Sequence, residues 1–107
     1  MAGFDDRKKA QEGQFAHDQE ITFKATARRN KLLGLWTAEK LGLTGEAADA
    51  YAKEVVKSDF EEAGDHDVFR KVKGDLDAKG LDVSEHRIRR EMDELFQTAL
   101  AQVKAGT

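Results

Sequence analysis

The chain contains no proline in its 107 residues, and this absence is the strongest constraint on its fold. Proline interrupts helices more reliably than any other residue, so nothing of that kind limits helix length here. Alanine, glutamate, lysine, leucine and arginine, which favour helices, recur throughout the chain, and the sequence gives little support for strands. We therefore predict an all-α fold.

Composition indicates one small domain with a limited core. Charged residues make up 36% of the chain and hydrophobic residues 39%, and a chain of this length can fold alone. Its apolar runs are two or three residues long, far below the about 20 apolar residues that span a bilayer, so we expect no membrane insertion. The N-terminus lacks the apolar core of a secretory signal, and we expect a cytoplasmic protein, monomeric when free.

Apolar residues recur at helical spacing in four segments that are separated by turn signals. Because the connections are short, consecutive helices should lie roughly antiparallel and form a small four-helix bundle. We expect the first helix from about Phe15 to Gly42, the second from a Thr44 cap to Gly64, the third from an Asp65 cap to Gly80, and the fourth from Ser84, or from Asp82 with Glu85, to a frayed end.

The residues predicted to form the core are those on the apolar stripe of each helix. They are Ile21, Ala25, Leu32, Leu35, Trp36 and Leu41; Ala48, Tyr51, Ala52, Val55, Val56 and Phe60; Val68, Phe69, Val72 and Leu76; and Ile88, Met92, Leu95, Phe96, Ala99, Leu100 and Val103.

Residues 1–20 contribute little to this core. They carry two spaced phenylalanines, Phe4 and Phe15, within a mixed-charge segment, and Gly13 costs a helix about 1 kcal/mol relative to alanine. We predict a segment that is flexible when free, either partly disordered or a fraying extension of the first helix, beside a four-helix domain over 21–107. Such a segment suits a helix that docks into a partner, but an inert tail fits the residues about equally well.

The net charge of −3 hides an uneven distribution, with +4 over residues 21–43 and −6 over 44–67. A chain so close to neutral is not expected to bind nucleic acid. Pairing of the basic first helix with the acidic second one explains the charges more simply than a phosphate-binding surface. The local basic patch that remains as a secondary binding candidate consists of Lys24, Arg28, Arg29 and Lys31.

The sequence offers no convincing catalytic constellation. Without cysteine it has neither thiolate chemistry nor Cys-ligated zinc, and it lacks a phosphate-binding P-loop. Asp65, His66 and Asp67 resemble a metal cluster, but acids also favour a helix N-terminus, which is the simpler explanation. Ser84 is better explained as a helix cap than as a nucleophile, and the three histidines have no ligand spacing. We expect no enzymatic activity, metal or cofactor.

Several strings along the chain resemble the zeta subunit family of α-proteobacterial F-type ATP synthases. The most specific is ARRNKLLGLW, which begins at Ala27. The others are FDDR from Phe4, FAHD from Phe15, FKA from Phe23, LG from Leu41, YAKEVVKSDFEE from Tyr51, GD from Gly64 and SEHRIRRE from Ser84, so the resemblance extends over nearly the whole chain.

This resemblance implies a four-helix inhibitor of ATP hydrolysis. The bundle would dock on the outside of the catalytic head, and the N-terminal segment would insert as a helix between the catalytic alpha and beta subunits and against the gamma rotor, at the inner face of the bacterial inner membrane. The implied inhibitory residues are Phe4 and Phe15 as apolar anchors, with Asp5, Asp6, Arg7, Lys8, Lys9, His17 and Asp18 in the same segment.

Two alternatives remain open at this stage. The bundle could be a helical adaptor that binds another protein through its acidic second helix or its basic patch, with an inert N-terminus. It could also be a small-ligand or nucleotide-sensing module that holds a phosphate at the basic patch or in a gap between helices.

Overall fold

The structure, a computed structural model, describes the backbone of residues 2–59 and 64–106 and the side chains of residues 18–59 and 64–106. Within these ranges the chain forms four α-helices and no strand, which confirms the predicted all-α four-helix bundle. None of these helices is long and apolar enough to cross a membrane. The helices are α1 (Ala2–Lys40), α2 (Gly45–Ser58), α3 (His66–Ala78) and α4 (Glu85–Lys104).

The central element is α1, which packs mainly against α2 and α4, while α3 contacts all three other helices. Its 39 residues correspond to about 58 Å of helix, roughly twice the length of α4. The prediction began this helix near Phe15, but the helical backbone starts at Ala2. Residues 2–14 therefore extend the first helix.

Two helix ends are closed by glycines in the left-handed region, as the sequence predicts. Gly42 has φ +80° and Gly80 has φ +81°. After α1, the Leu43 N–H donates to the Ala38 carbonyl at 2.9 Å, and after α3 the Leu81 N–H donates to the Leu76 carbonyl at 3.0 Å. These bonds satisfy helix carbonyls that would otherwise lack partners, and they turn the chain back towards the core.

Of the three predicted N-terminal caps, Ser84 is confirmed, whereas Thr44 and Asp65 differ from the prediction. Ser84 caps α4, since its Oγ accepts a hydrogen bond from the Arg87 N–H at 3.1 Å. Thr44 and Asp65 occupy the predicted cap positions, but neither side chain makes a capping hydrogen bond. The Asp65 carboxylate instead pairs with Arg29 and Arg89. The predicted end of α2 at Gly64 is wrong, because the helix ends at Ser58.

The core forms along the faces of all four helices. The prediction is confirmed for the whole α3 set, for Tyr51, Ala52 and Val55 of α2, and for Ile88, Met92 and Ala99 of α4. The other predicted residues of α2 and α4 are only partly buried, except that Phe60 lies outside the described residues; they are Ala48, Val56, Leu95, Phe96, Leu100 and Val103. The largest difference is on α1, where Leu32, Leu35 and Trp36 are only partly buried and Leu33 is completely buried. The buried hydrophobic residues are Ala25, Leu33, Ala38, Tyr51, Ala52, Val55, Val68, Phe69, Val72, Leu76, Ile88, Met92 and Ala99.

Helices α1 and α2, which share the most extensive interface in the bundle, approach each other closely at a pair of small residues. A Cβ built on Gly34 would lie 2.6 Å from the Ala52 Cα and 3.1 Å from the Ala52 Cβ. Real Cβ atoms do not come that close to another backbone, so a side chain at position 34 would push the helices apart. Gly34 is therefore required by packing.

We expect Gly34→Ala to lower the free energy of unfolding by about 1–3 kcal/mol through overpacking, although alanine has the higher helix propensity. Gly74→Ala is the matched control, because a Cβ on this α3 glycine meets no atom within 4 Å. That variant should gain about 0.5–1 kcal/mol. Urea denaturation of both variants checks the pair, and equal effects of the two substitutions would contradict the close approach.

Candidate partner-binding surfaces

The N-terminal arm, which we define as residues 1–20, continues into the bundle without a break in the helix from Ala2 onward. The side chains of Phe4, Asp5, Asp6, Arg7, Lys8, Lys9, Phe15 and His17 lie outside the residues whose side chains the structure describes. Asp18 is exposed, and its carbonyl accepts a hydrogen bond from the Thr22 Oγ1 at 2.9 Å. The inhibitory role of these residues stays a prediction.

Among the described side chains of α1, the stretch that follows Asp18 is mostly exposed. From Asp18 to Lys24 the side chains are exposed except for Ile21, which is partly buried, and Ala25 is the first of the described side chains that is completely buried. The bundle therefore makes little use of this stretch for its own packing. A helix that continues past its core presents surface that a partner can contact.

The residues of the predicted basic patch have different environments. Lys24 forms an ion pair with Glu20 in its own helix at 3.0 Å, and the Arg28 Nη1 donates to Gln102 of α4 at 3.4 Å. Lys31 is exposed, whereas Arg29 is buried. The four side chains therefore do not form one continuous cationic surface.

Arg29 belongs to the interior. Only 9% of its side chain is exposed, its Nε donates to the Asn30 Oδ1 at 3.0 Å, and its Nη1 lies 3.7 Å from the Asp65 Oδ2. A buried guanidinium is costly unless carboxylate and amide oxygens replace its water. The sequence predicted that acidic residues of α2 neutralise the basic residues of α1. At Arg29 the carboxylate comes instead from Asp65, at the start of α3.

Asn30 adds a second polar contact on the same side of α1. It is 1% exposed, and its amide donates to the Asp59 Oδ2 at 2.9 Å, directly after the end of α2. Sequence analysis missed both buried polar residues. For Arg29 the signal was present, because Ala25, Arg29, Leu33 and Thr37 follow each other at four-residue intervals on one helical face, and all four are buried. Asn30 lies outside this series.

Two residues of the Asp65-His66-Asp67 sequence, Asp65 and His66, contact arginine side chains. The Arg89 Nη1 lies 3.1 Å from the Asp65 Oδ1, its Nη2 lies 3.1 Å from the His66 Nδ1, and its guanidinium covers the Phe69 ring at 4.3 Å. Asp67 is buried, and its Oδ1 accepts a hydrogen bond from the Val68 N–H. Two arginines beside the Asp65 carboxylate disfavour a metal ion electrostatically, and these side chains link α1, α3 and α4.

A second polar cluster joins α2 to α3. The buried Tyr51 hydroxyl donates to the Asp75 Oδ2 at 2.7 Å, and the Lys71 Nζ lies 3.0 Å from the same oxygen and 3.2 Å from the Glu54 Oε2. Burial strongly raises the pKa of Tyr51, and the hydrogen bond to Asp75 raises it further. Burial lowers the pKa of Lys71, but its bonds to Asp75 and Glu54 outweigh that effect, so the pKa is raised overall.

Both raised pKa values predict a loss of stability at alkaline pH. The folded state holds these protons more tightly than the unfolded chain, so the stabilisation is complete below about pH 10, where both states are protonated, and falls as the pH rises further. We expect Tyr51→Phe to cost about 1 kcal/mol at pH 7 and to show a shallower alkaline loss. Urea denaturation from pH 7 to 11 measures both, and identical alkaline slopes in the two proteins would contradict the assignment.

Fold and surface together define a class of protein: a small helical bundle whose central helix continues beyond the core as an arm, without an evident catalytic centre in its described residues. The family model for ATPase inhibitor subunit zeta matches residues 1–102, and the chain belongs to that family. This match confirms the resemblance to the zeta subunit family that strings such as ARRNKLLGLW indicate. The family is one of regulators that bind the F-type ATP synthase, so an inhibitory and non-catalytic role follows in general.

A solved structure supports the fold. The chain is similar to a protein whose structure was determined in solution by NMR, with 54% sequence identity and a TM-score of 0.72. The match covers 81% of this chain and 99% of the other. None of the curated proteins matches the chain.

Proposed function

We propose that this protein inhibits ATP hydrolysis by inserting its arm, residues 1–20, as a helix into the catalytic head of the F-type ATP synthase, between alpha and beta subunits and against the gamma subunit. The bundle over 21–107 is the scaffold. The observation that carries the proposal is the 39-residue α1, which provides the centre of the bundle and continues through the arm in the same helix. In the cell the complex forms in the cytoplasm, at the inner face of the inner membrane.

The inhibition is mechanical and needs no chemistry on this chain. Rotary catalysis requires the catalytic interfaces to close and open while the rotor turns. A helix of 20 residues is about 30 Å long, enough to reach through such an interface and hold it in one state. Because the arm continues an existing helix, docking does not require a new helix nucleus, which lowers the ordering cost of binding.

The arm carries a suitable pattern of anchors. Phe4 and Phe15 are eleven residues apart, close to three turns of an α-helix, so both positions lie on the same face. Asp5, Asp6, Arg7, Lys8 and Lys9 surround the first anchor with both charge signs, and Asp18 follows the second one turn later. Two aromatic anchors on one face, framed by charges, match the helix-in-groove mode of recognition.

Phe15→Ala in the full chain tests the proposal. We expect the concentration for half-maximal inhibition of ATP hydrolysis to rise about tenfold or more, because an aromatic anchor contributes about 1.4 kcal/mol or more. The thermal midpoint should not change, because our proposal assigns Phe15 to the arm and not to the core of the bundle. Leu33→Ala is the contrasting variant, and it should destabilise the bundle by about 2–5 kcal/mol through a cavity.

An unchanged inhibition curve for Phe15→Ala would remove this residue from the interface. A large fall in its thermal midpoint would make it a core residue and contradict the division into arm and scaffold. Binding to the synthase without any inhibition would favour the adaptor interpretation instead.

A further inference from the structure

Phe23 is a large hydrophobic residue that the bundle leaves in solvent. It is 67% exposed, and it is the only exposed large hydrophobic residue among the described side chains. An isolated exposed aromatic residue is common on protein surfaces, but this one forms the edge of a concave apolar surface. It lies eight residues from Phe15, beyond the arm and at the start of the bundle.

The concave surface is a groove on the outside of α1, between the C-terminal ends of α2 and α4. Its first part has a volume of about 600 Å³, with Phe23, Ala27, Val56 and Val103 as its apolar residues. A second depression of about 420 Å³ shares Lys31 and Val56 with the first and continues along α2 past Ala52. From Phe23 to Lys31 the groove follows α1 for about 12 Å, which corresponds to roughly two helical turns of an occupant.

The rim of the groove is cationic. Lys24, Arg28 and Lys31 border it on α1, and Lys53 borders it on α2, against the one acid Asp49. Lys31 and Lys53 are both exposed, and neither forms an ion pair with another described side chain. An apolar floor with a positive rim complements a helix that has an apolar stripe and acidic flanks. An uncharged or basic segment would offer no carboxylate to Lys31 and Lys53.

We propose that this groove is a second docking site, which binds an acidic amphipathic helix on the outer surface of the F-type ATP synthase. The inference rests on the proposed function for its partner, and it specifies which surface of the bundle docks and the chemistry of the helix that this surface binds. Arm and groove lie on one helix, so each raises the effective concentration of the other at the complex. The arm blocks catalysis, whereas the groove increases affinity.

The test uses the full chain and purified F-type ATP synthase, with affinity measured by biolayer interferometry and inhibition measured by ATP hydrolysis. We expect Phe23→Ala to raise Kd about tenfold, and Lys24→Glu and Lys53→Glu to raise it severalfold each and to weaken its salt dependence. Inhibition at saturation should remain complete in all three. Arg90→Glu is the matched control for Lys24→Glu, because each residue forms one exposed ion pair within its own helix, at 3.2 Å and 3.0 Å respectively, and its Kd should not change.

The outcomes separate the two proposals. Failure of the unaltered protein to inhibit would overturn the proposed function. Inhibition by the unaltered protein, with unchanged Kd for Phe23→Ala and Lys53→Glu, would overturn the proposal that the groove is a docking site and leave the proposed function intact. Sedimentation is the second measurement: a dimer of the unaltered protein that Phe23→Ala converts to monomer would assign the groove to a second copy of this chain and also overturn the proposal.

Discussion

The bundle depends on the buried face of α1, where Ala25, Arg29, Leu33 and Thr37 follow one another every four residues. Leu33 belongs to the hydrophobic core, but Arg29 brings a positive charge into the same stripe. That charge requires a carboxylate, and Asp65 provides it from the start of α3 while also pairing with Arg89 of α4. Asp65 thus joins Arg29 of α1 to Arg89 of α4 at the start of α3, and Gly34 sets the distance between α1 and α2.

This arrangement connects packing with function. Because α1 is held on several sides by the other helices, its direction beyond the core is determined by the bundle. The arm leaves the scaffold as a continuation of that helix, and the groove at Phe23 lies where the arm meets the bundle. In our proposals the two surfaces have different tasks, since the arm obstructs the catalytic head and the groove holds the bundle against it.

Sequence analysis predicted the features that depend on local chemistry. Gly42 and Gly80 close helices because they adopt left-handed backbone, and Ser84 caps α4, all within a few residues of the pattern that indicates them. The features it missed depend on partners far along the chain. Asp65 was predicted to be a cap, but Arg29 and Arg89 attract its carboxylate, and Asn30 is buried because Asp59 accepts its amide hydrogen. A single sequence does not show which distant residues will meet.

The candidate surfaces show the same difference between features that local sequence indicates and features that depend on distant residues. The family of the chain was recognisable from local strings such as ARRNKLLGLW, whereas the groove requires residues from α1, α2 and α4 to come together, which only the folded chain shows. The basic patch illustrates the difference most clearly. Its four cations are neighbours in sequence, yet the fold buries Arg29 and leaves Lys31 exposed.

The central claim is that the arm is the effector and the bundle is its scaffold. The most direct measurement is a titration of steady-state ATP hydrolysis by a purified F-type ATPase head with the full-length protein and, in parallel, with residues 21–107 alone. Our account predicts saturable inhibition by the full-length chain and none by the shortened chain, with circular dichroism showing that both are helical. Equal inhibition by the two would contradict it, because the effector would then lie within the bundle.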